Sequence, residues 1–210
     1  MSSFRKLFSS GGKNTSRVAS SDPFAVRKIK ETLQRLMRES YQIDEDQLVV
    51  LCIGTDRSTG DALGPLIGSK LSRLQPNKVF VYGTLDEPVH AVNLPATIEK
   101  LERDFSRPYI IAVDACLGRP ESVGAIDIGT GSLRPGAGVN KDLPSVGNIY
   151  ISGIVNVGGF LEYFVLQNTR LSLVMHLAET ITSSLYFSIE ESRPDTIKGR
   201  LTTAGTVLVD

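Results

Sequence analysis

Two aspartates are the residues whose surroundings point to chemistry. Asp61 lies in IGTDRSTGDALGP (53–65), where an apolar run breaks into three glycines, two aspartates, an arginine and a proline. Asp114 lies 53 residues later, in IIAVDACLG (110–118). Two carboxyl groups in one cavity can divide a proton, so that one activates water while the other donates to the leaving group. Hydrolysis of an amide then needs neither serine nor cysteine. The same pair could instead begin a metal site, which wants a third donor. His90, in DEPVHAVNL, is the histidine at the same loop edge, and a surface loop residue is its alternative reading. Asp61 could also simply cap a helix. Asp114 is harder to dismiss, because a charge ending an apolar strand needs a partner or a function.

Other chemistry finds less support. The glycines around Asp61 could cradle a phosphate, yet neither GxxxxGK[ST] nor GxGxxG is present. Cys116 follows Asp114 by two residues, but a thiolate nucleophile needs a base or a positive field, and only His90 or Arg119 offers one. A buried inert thiol is the simpler reading. His176, in LSLVMHLAETI, reads as a helical core or interface residue.

Positioning two aspartates takes a frame, and the chain supplies alternating apolar runs. QLVVLCIG (47–54), KVFVYG (78–83), PYIIAVDACLG (108–118), GAIDIG (124–129) and NIYISGIV (148–155) read as strands. Helices are expected over 23–40, where Asp22-Pro23 opens an amphipathic pattern, and over 61–74, 94–105, 157–168 and 170–188. Strand and helix alternate, which predicts a three-layer α/β/α fold with a mostly parallel sheet of about five strands. In such sheets sites form beyond the carboxyl ends of the strands, where helix amino ends converge. Asp61 then follows strand one and Asp114 sits at the tip of strand three.

Residues 1–22, rich in Ser, Gly and Lys, read as a disordered leader; its basic residues with Phe4 and Phe8 offer a membrane or partner contact as the rival reading. Residues 23–188 make the single domain, and 189–210 a tail, although TVLVD could add a strand. The apolar residues Leu171, Leu173, Val174, Leu177 and Ile181 could serve the core or a homo-oligomer contact. The 23 basic and 23 acidic residues balance, so no overall field recruits nucleic acid or an anionic membrane. No run approaches the ~20 apolar residues of a membrane span. Cys52 and Cys116 fit no CxxC or Cys/His spacing and read as reduced thiols of a cytoplasmic protein.

GTDRSTGDALGP, VDACLG and RPGAGVNKDLPSVGNIYISGIVNVGG, in that order, resemble the YyaC-type sporulation proteins over about residues 23–188. These are relatives of the germination protease, which degrades small acid-soluble spore proteins in endospore-forming bacteria. More distantly the layout is similar to that of the hydrogenase maturation endopeptidases. The resemblance implies an endopeptidase acting without cofactor, in the forespore or mother cell, with Asp61 and Asp114 as the catalytic pair. A spore protein or peptide is the implied substrate. In the maturation enzymes two acidic side chains and a histidine grip nickel; ISGIVNVGGFLE, after strand five, has no histidine, which favours the metal-free version. The longer insertions and an acidic propeptide of the full germination protease are also missing. The backbone at Gly54, Gly60, Gly136 and Gly138 would shape the cleft. Lys141, with the amides of PGAGVNK, could hold a carbonyl or oxyanion, or the stretch could be a plain surface loop. A noncatalytic peptide-binding or scaffold protein of the spore is the alternative function.

Overall fold

In a computed structural model, residues 15–135, 143–159 and 161–192 are described. Their strands are β1 (Thr15–Ala19), β2 (Gln47–Cys52), β3 (Val79–Tyr82), β4 (Pro108–Gly118), β5 (Ala125–Thr130) and β6 (Ile149–Val157). The helices are α1 (Ala25–Ser40), α2 (Leu63–Leu74), α3 (Leu94–Asp104), α4 (Glu162–Gln167) and α5 (Leu171–Glu191). The strands form one mixed sheet in the order β1-β5-β6-β4-β2-β3. β6, β4, β2 and β3 run parallel, while β5 and β1 close one side antiparallel.

Side-chain alternation in the central strands builds two cores. Leu48, Val50 and Cys52 of β2, with Tyr109, Ile111 and Val113 of β4, pack beneath α1, α2 and α5. Val49, Leu51 and Ile53, with Ile110 and Ala112, pack beneath Leu94, Leu101 and Phe105 of the α3 segment. Both faces of these strands are therefore dry, which is why they read as unbroken apolar runs. α2 lies unusually close to the sheet. A Cβ added to Gly64 would stand 2.1 Å from the Ile53 carbonyl oxygen, and one added to Gly68 would stand 2.1 Å from that of Gly83.

The structure corrects several expectations. The strand count is six, because residues assigned to the leader form β1. TSRVA turns Val18 into the core, and Arg17 binds Asp127 of β5 through Nε–Oδ1 at 2.6 Å and Nη2–Oδ2 at 2.7 Å. This bidentate pairing holds the Arg17 guanidinium above its ordinary pKa, chiefly through the hydrogen bond. Helix 157–168 shrinks to α4, because β6 continues through Val157 and Leu161 takes a left-handed φ of 55° just before the helix. α5 extends to Glu191, three residues into the supposed tail, where Glu191 pairs with Lys30 of α1. The remainder of the leader, 1–14, and of the tail, 193–210, lies outside the described residues.

Candidate active site

The loop from Ile53 to Ala62 is pinned to three neighbours and to itself. Ile53 N–H donates to the Val113 carbonyl of β4 at 2.7 Å, and Gly54 N–H to Val89 at 2.8 Å. Thr55 N–H donates to the Asp61 carbonyl at 3.1 Å, folding the loop back on itself. Gly60 N–H donates to Leu166 of α4 at 2.9 Å. Gly54 has a φ of 143°, and a Cβ there would stand 2.0 Å from the Asp61 carbonyl oxygen. Glycine is required for both reasons. Gly60 is less tightly enclosed, since a Cβ would meet the side-chain atoms Leu166 Cδ2 at 2.8 Å and Thr169 Oγ1 at 2.9 Å.

This loop fixes Asp61, which is half-buried. The helix that follows begins at Leu63, with Ala62 rather than Asp61 in the cap position. Asp114 is not at a strand tip. β4 continues four residues beyond it, and the strand that stops is β2, at Cys52, which is paired with Val113. Asp114 therefore occupies the step where β4 outruns its neighbour, on the sheet face opposite Val113. The turn at Gly54 leaves β2 at this level, about one strand spacing (~4.8 Å) from β4. The backbone of Asp61 and the strand bearing Asp114 thus flank Gly54. Asp114 is 6% exposed, and its Oδ1 accepts the Ala115 N–H at 2.8 Å.

Cys116 records the local field. Burial pushes its thiol up to about 12, and the neighbouring charges of Asp114 and then Asp127 push in the same direction. Cys52 is fully buried and its thiol is likewise raised by desolvation. Both shifts favour the protonated thiol, which argues against a nucleophilic Cys116 even though that residue is only partly buried.

His90 closes a turn. Its N–H donates to Asn93 Oδ1 at 2.7 Å, and its Nδ1 accepts the Val92 N–H at 3.3 Å, which leaves the neutral ring's proton on Nε2. Among the described residues no three His, Cys, Asp or Glu side chains converge as a metal-binding group, so His90 does not complete a set with Asp61 and Asp114. His176 contacts the Ser20 carbonyl through Nε2 at 2.9 Å, tying α5 to the turn after β1. Gly136, Gly138 and Lys141 lie outside the described residues.

Two features escaped sequence reasoning. Ser58 Oγ is buried inside the Asp61 loop without a hydrogen-bond partner among the described residues. Behind α4 a cleft of about 550 Å³ opens, lined by Asn156, Val157, Leu161, Phe164 and Asn168 among others. The Gly60–Leu166 hydrogen bond joins the cleft wall to the Asp61 loop. Its signal in the sequence was the run FLEYF, too apolar for a surface helix. No helix among the described residues is long and apolar enough to cross a membrane.

Among solved structures, the [NiFe] hydrogenase maturation protease HycI from Thermococcus kodakarensis KOD1 superposes with a TM-score of 0.48 at 14% identity, covering 75% of this chain and 97% of that one. The Hydrogenase 3 maturation protease gives a TM-score of 0.40 at 16% identity, over 70% and 91% of the two chains. Uncharacterized protein YyaC of Bacillus subtilis (strain 168) is 52% identical over 179 residues, which is 85% of this chain and 86% of that protein. The family model described as "Protein of unknown function (DUF1256)" matches residues 17–184, so the chain belongs to the DUF1256 family.

Proposed function

We propose that this protein is an endopeptidase of the germination-protease type, in which Asp61 and Asp114 hydrolyse a peptide bond without a metal. The observation that carries the reading is the loop geometry: Gly54 is pressed against the Asp61 backbone while the same turn leaves β2 beside Asp114. A loop held to its neighbours at three points and closed by an internal bond, with a glycine that admits no side chain, is a device for fixing position. The two carboxyl groups would hold one proton between them. The ionised member takes a proton from water, the water oxygen attacks the peptide carbonyl, and the protonated member donates to the leaving nitrogen. The pair ends as it began, with one proton. The apolar cleft beside α4 would receive a substrate side chain, and the substrate class is small acid-soluble spore proteins inside an endospore-forming cell.

The experiment is incubation of the purified full chain with small acid-soluble spore proteins, following fragments by mass spectrometry. Cleavage should be lost in both Asp61→Asn and Asp114→Asn and should be indifferent to a chelator. Cleavage that survives both substitutions defeats the two-aspartate mechanism. Binding without turnover from pH 4 to pH 8, about the range over which two coupled carboxyls titrate, makes the protein a peptide-binding module instead.

A further inference from the structure

One face of the sheet carries a polar row that the two-aspartate reading does not use. Pairing across four adjacent strands sets Arg17 of β1 beside Asp127 of β5, Asp127 beside Ser152 of β6, and Ser152 beside Asp114 of β4. The residues flanking these along each strand, such as Val18, Ile126, Ile128, Ile151 and Val113, point into the core under α1, α2 and α5. The four members of the row therefore share the opposite face.

Within the row Asp127 is committed. Both its oxygens are held by Arg17, whose remaining Nη1 donates to Ser122 Oγ at 3.0 Å. Ser152 is not committed: it is 7% exposed and its hydroxyl is in none of the side-chain hydrogen bonds among the described residues. A serine hydroxyl can donate once and accept twice, and the partner left beside it is the Asp114 carboxyl group. Adjacent strands are ~4.8 Å apart, and one water making two hydrogen bonds of ~2.8 Å spans such a gap.

We propose that Ser152 is a positioning residue of the candidate site, holding a water against Asp114 from the β6 side while the Gly54 loop approaches from the β2 side. The inference rests on reading Asp114 as a site carboxylate. It gives the attacking water two anchors, a carboxyl oxygen and a hydroxyl, and so a fixed direction. Among the described residues, the ionisable groups on the row's face include Cys116 on the same strand, Asp127 with Arg17 beyond Ser152, and Tyr150 two residues from Ser152 on β6.

The test uses full-length protein labelled with carbon-13 at the aspartate carboxyls, the Asp114 resonance being identified by its loss in Asp114→Asn. A hydroxyl-held water stabilises the charged carboxylate. Ser152→Ala should therefore move the pH midpoint of the Asp114 resonance upward, and Ser152→Thr, which keeps the hydroxyl, should restore it. Ser122→Ala, which disturbs the far end of the row, should leave the midpoint in place. An unchanged midpoint in Ser152→Ala, or a Thr variant that behaves like Ala, overturns the proposal. If the Ala variant does not fold, Ser152→Cys replaces it, and an unmoved midpoint there is equally fatal. Labelling of Ser152 by a fluorophosphonate would make it a nucleophile and refute the positioning role. No cleavage is needed for the resonance to report, so a failure of the peptidase reading and a failure of this inference are separable.

Discussion

Replacing Gly54 by alanine tests whether the Asp61 loop is as tightly built as its geometry indicates. The new Cβ would sit 2.0 Å from the Asp61 carbonyl oxygen, whereas tolerable contacts begin beyond 3 Å, so the carbonyl must retreat by about 1 Å. That retreat breaks the 3.1 Å bond from Thr55 N–H, a loss of about 1 kcal/mol. A positive φ at a residue with a side chain costs about 1–3 kcal/mol. Together these predict a loss of about 2–4 kcal/mol. Gly131 is the internal control, because it has a φ of 102° with nothing within 4 Å of an added Cβ. Gly131→Ala should show the backbone cost alone, about 1–2 kcal/mol. Urea unfolding of both variants at constant m-value separates the two contributions. If Gly54→Ala costs no more than Gly131→Ala, the loop yields freely and the case for a rigidly placed Asp61 collapses.

Further expectations follow from other parts of the molecule. With a thiol pushed up to about 12 from an ordinary 9.0, Cys116 should react with iodoacetamide at pH 8 about a thousandfold more slowly in folded than in unfolded protein; equal rates would contradict the upward shift. Because that shift is upward, the stability it contributes is complete below pH 9.0 and drains away as pH rises towards 12, which denaturant titrations in alkaline buffers would register as a falling midpoint. Arg17→Ala should accelerate hydrogen exchange in β1 while changing global stability by no more than ~1 kcal/mol, since the arginine is half exposed. Phe164→Ala, at a side chain 56% exposed, should leave stability within ~0.5 kcal/mol yet raise KM for a peptide substrate; an unchanged KM would remove the cleft from the site.

Much of the architecture was legible because buried parallel strands write themselves as continuous apolar runs. β2 and β4, each parallel to both neighbours, are of this kind; α1 was legible from the helical spacing of Ile29, Leu33 and Leu36, and β5, antiparallel to both neighbours, from its alternation. β1 was not legible, since TSRVA offers one inward apolar residue and its arginine finds its partner 110 positions away. The Asp61 loop announced itself by its glycines, whose spacing reflects backbone contacts. Asp114 was found by its apolar setting, but its place within β4 depends on where β2 ends, and a strand's own residues do not encode its neighbour's length. Ser152 carried no signal at all. Its relation to Asp114 is a matter of register between strands 38 residues apart, and register is settled by packing.

The sheet's outermost antiparallel strand has a consequence for how the polypeptide is made. Among the described strands β1 is the earliest in the chain, and its neighbour in the sheet is β5, which in turn pairs with β6. At ribosomal speeds of roughly 5–20 residues per second, the 110 residues between Arg17 and Asp127 take on the order of 5–20 s to appear. Throughout that interval the segment waits with its amide edge open, so a nascent-chain binder or a neighbouring copy has its best opportunity there, before the arginine meets its aspartate.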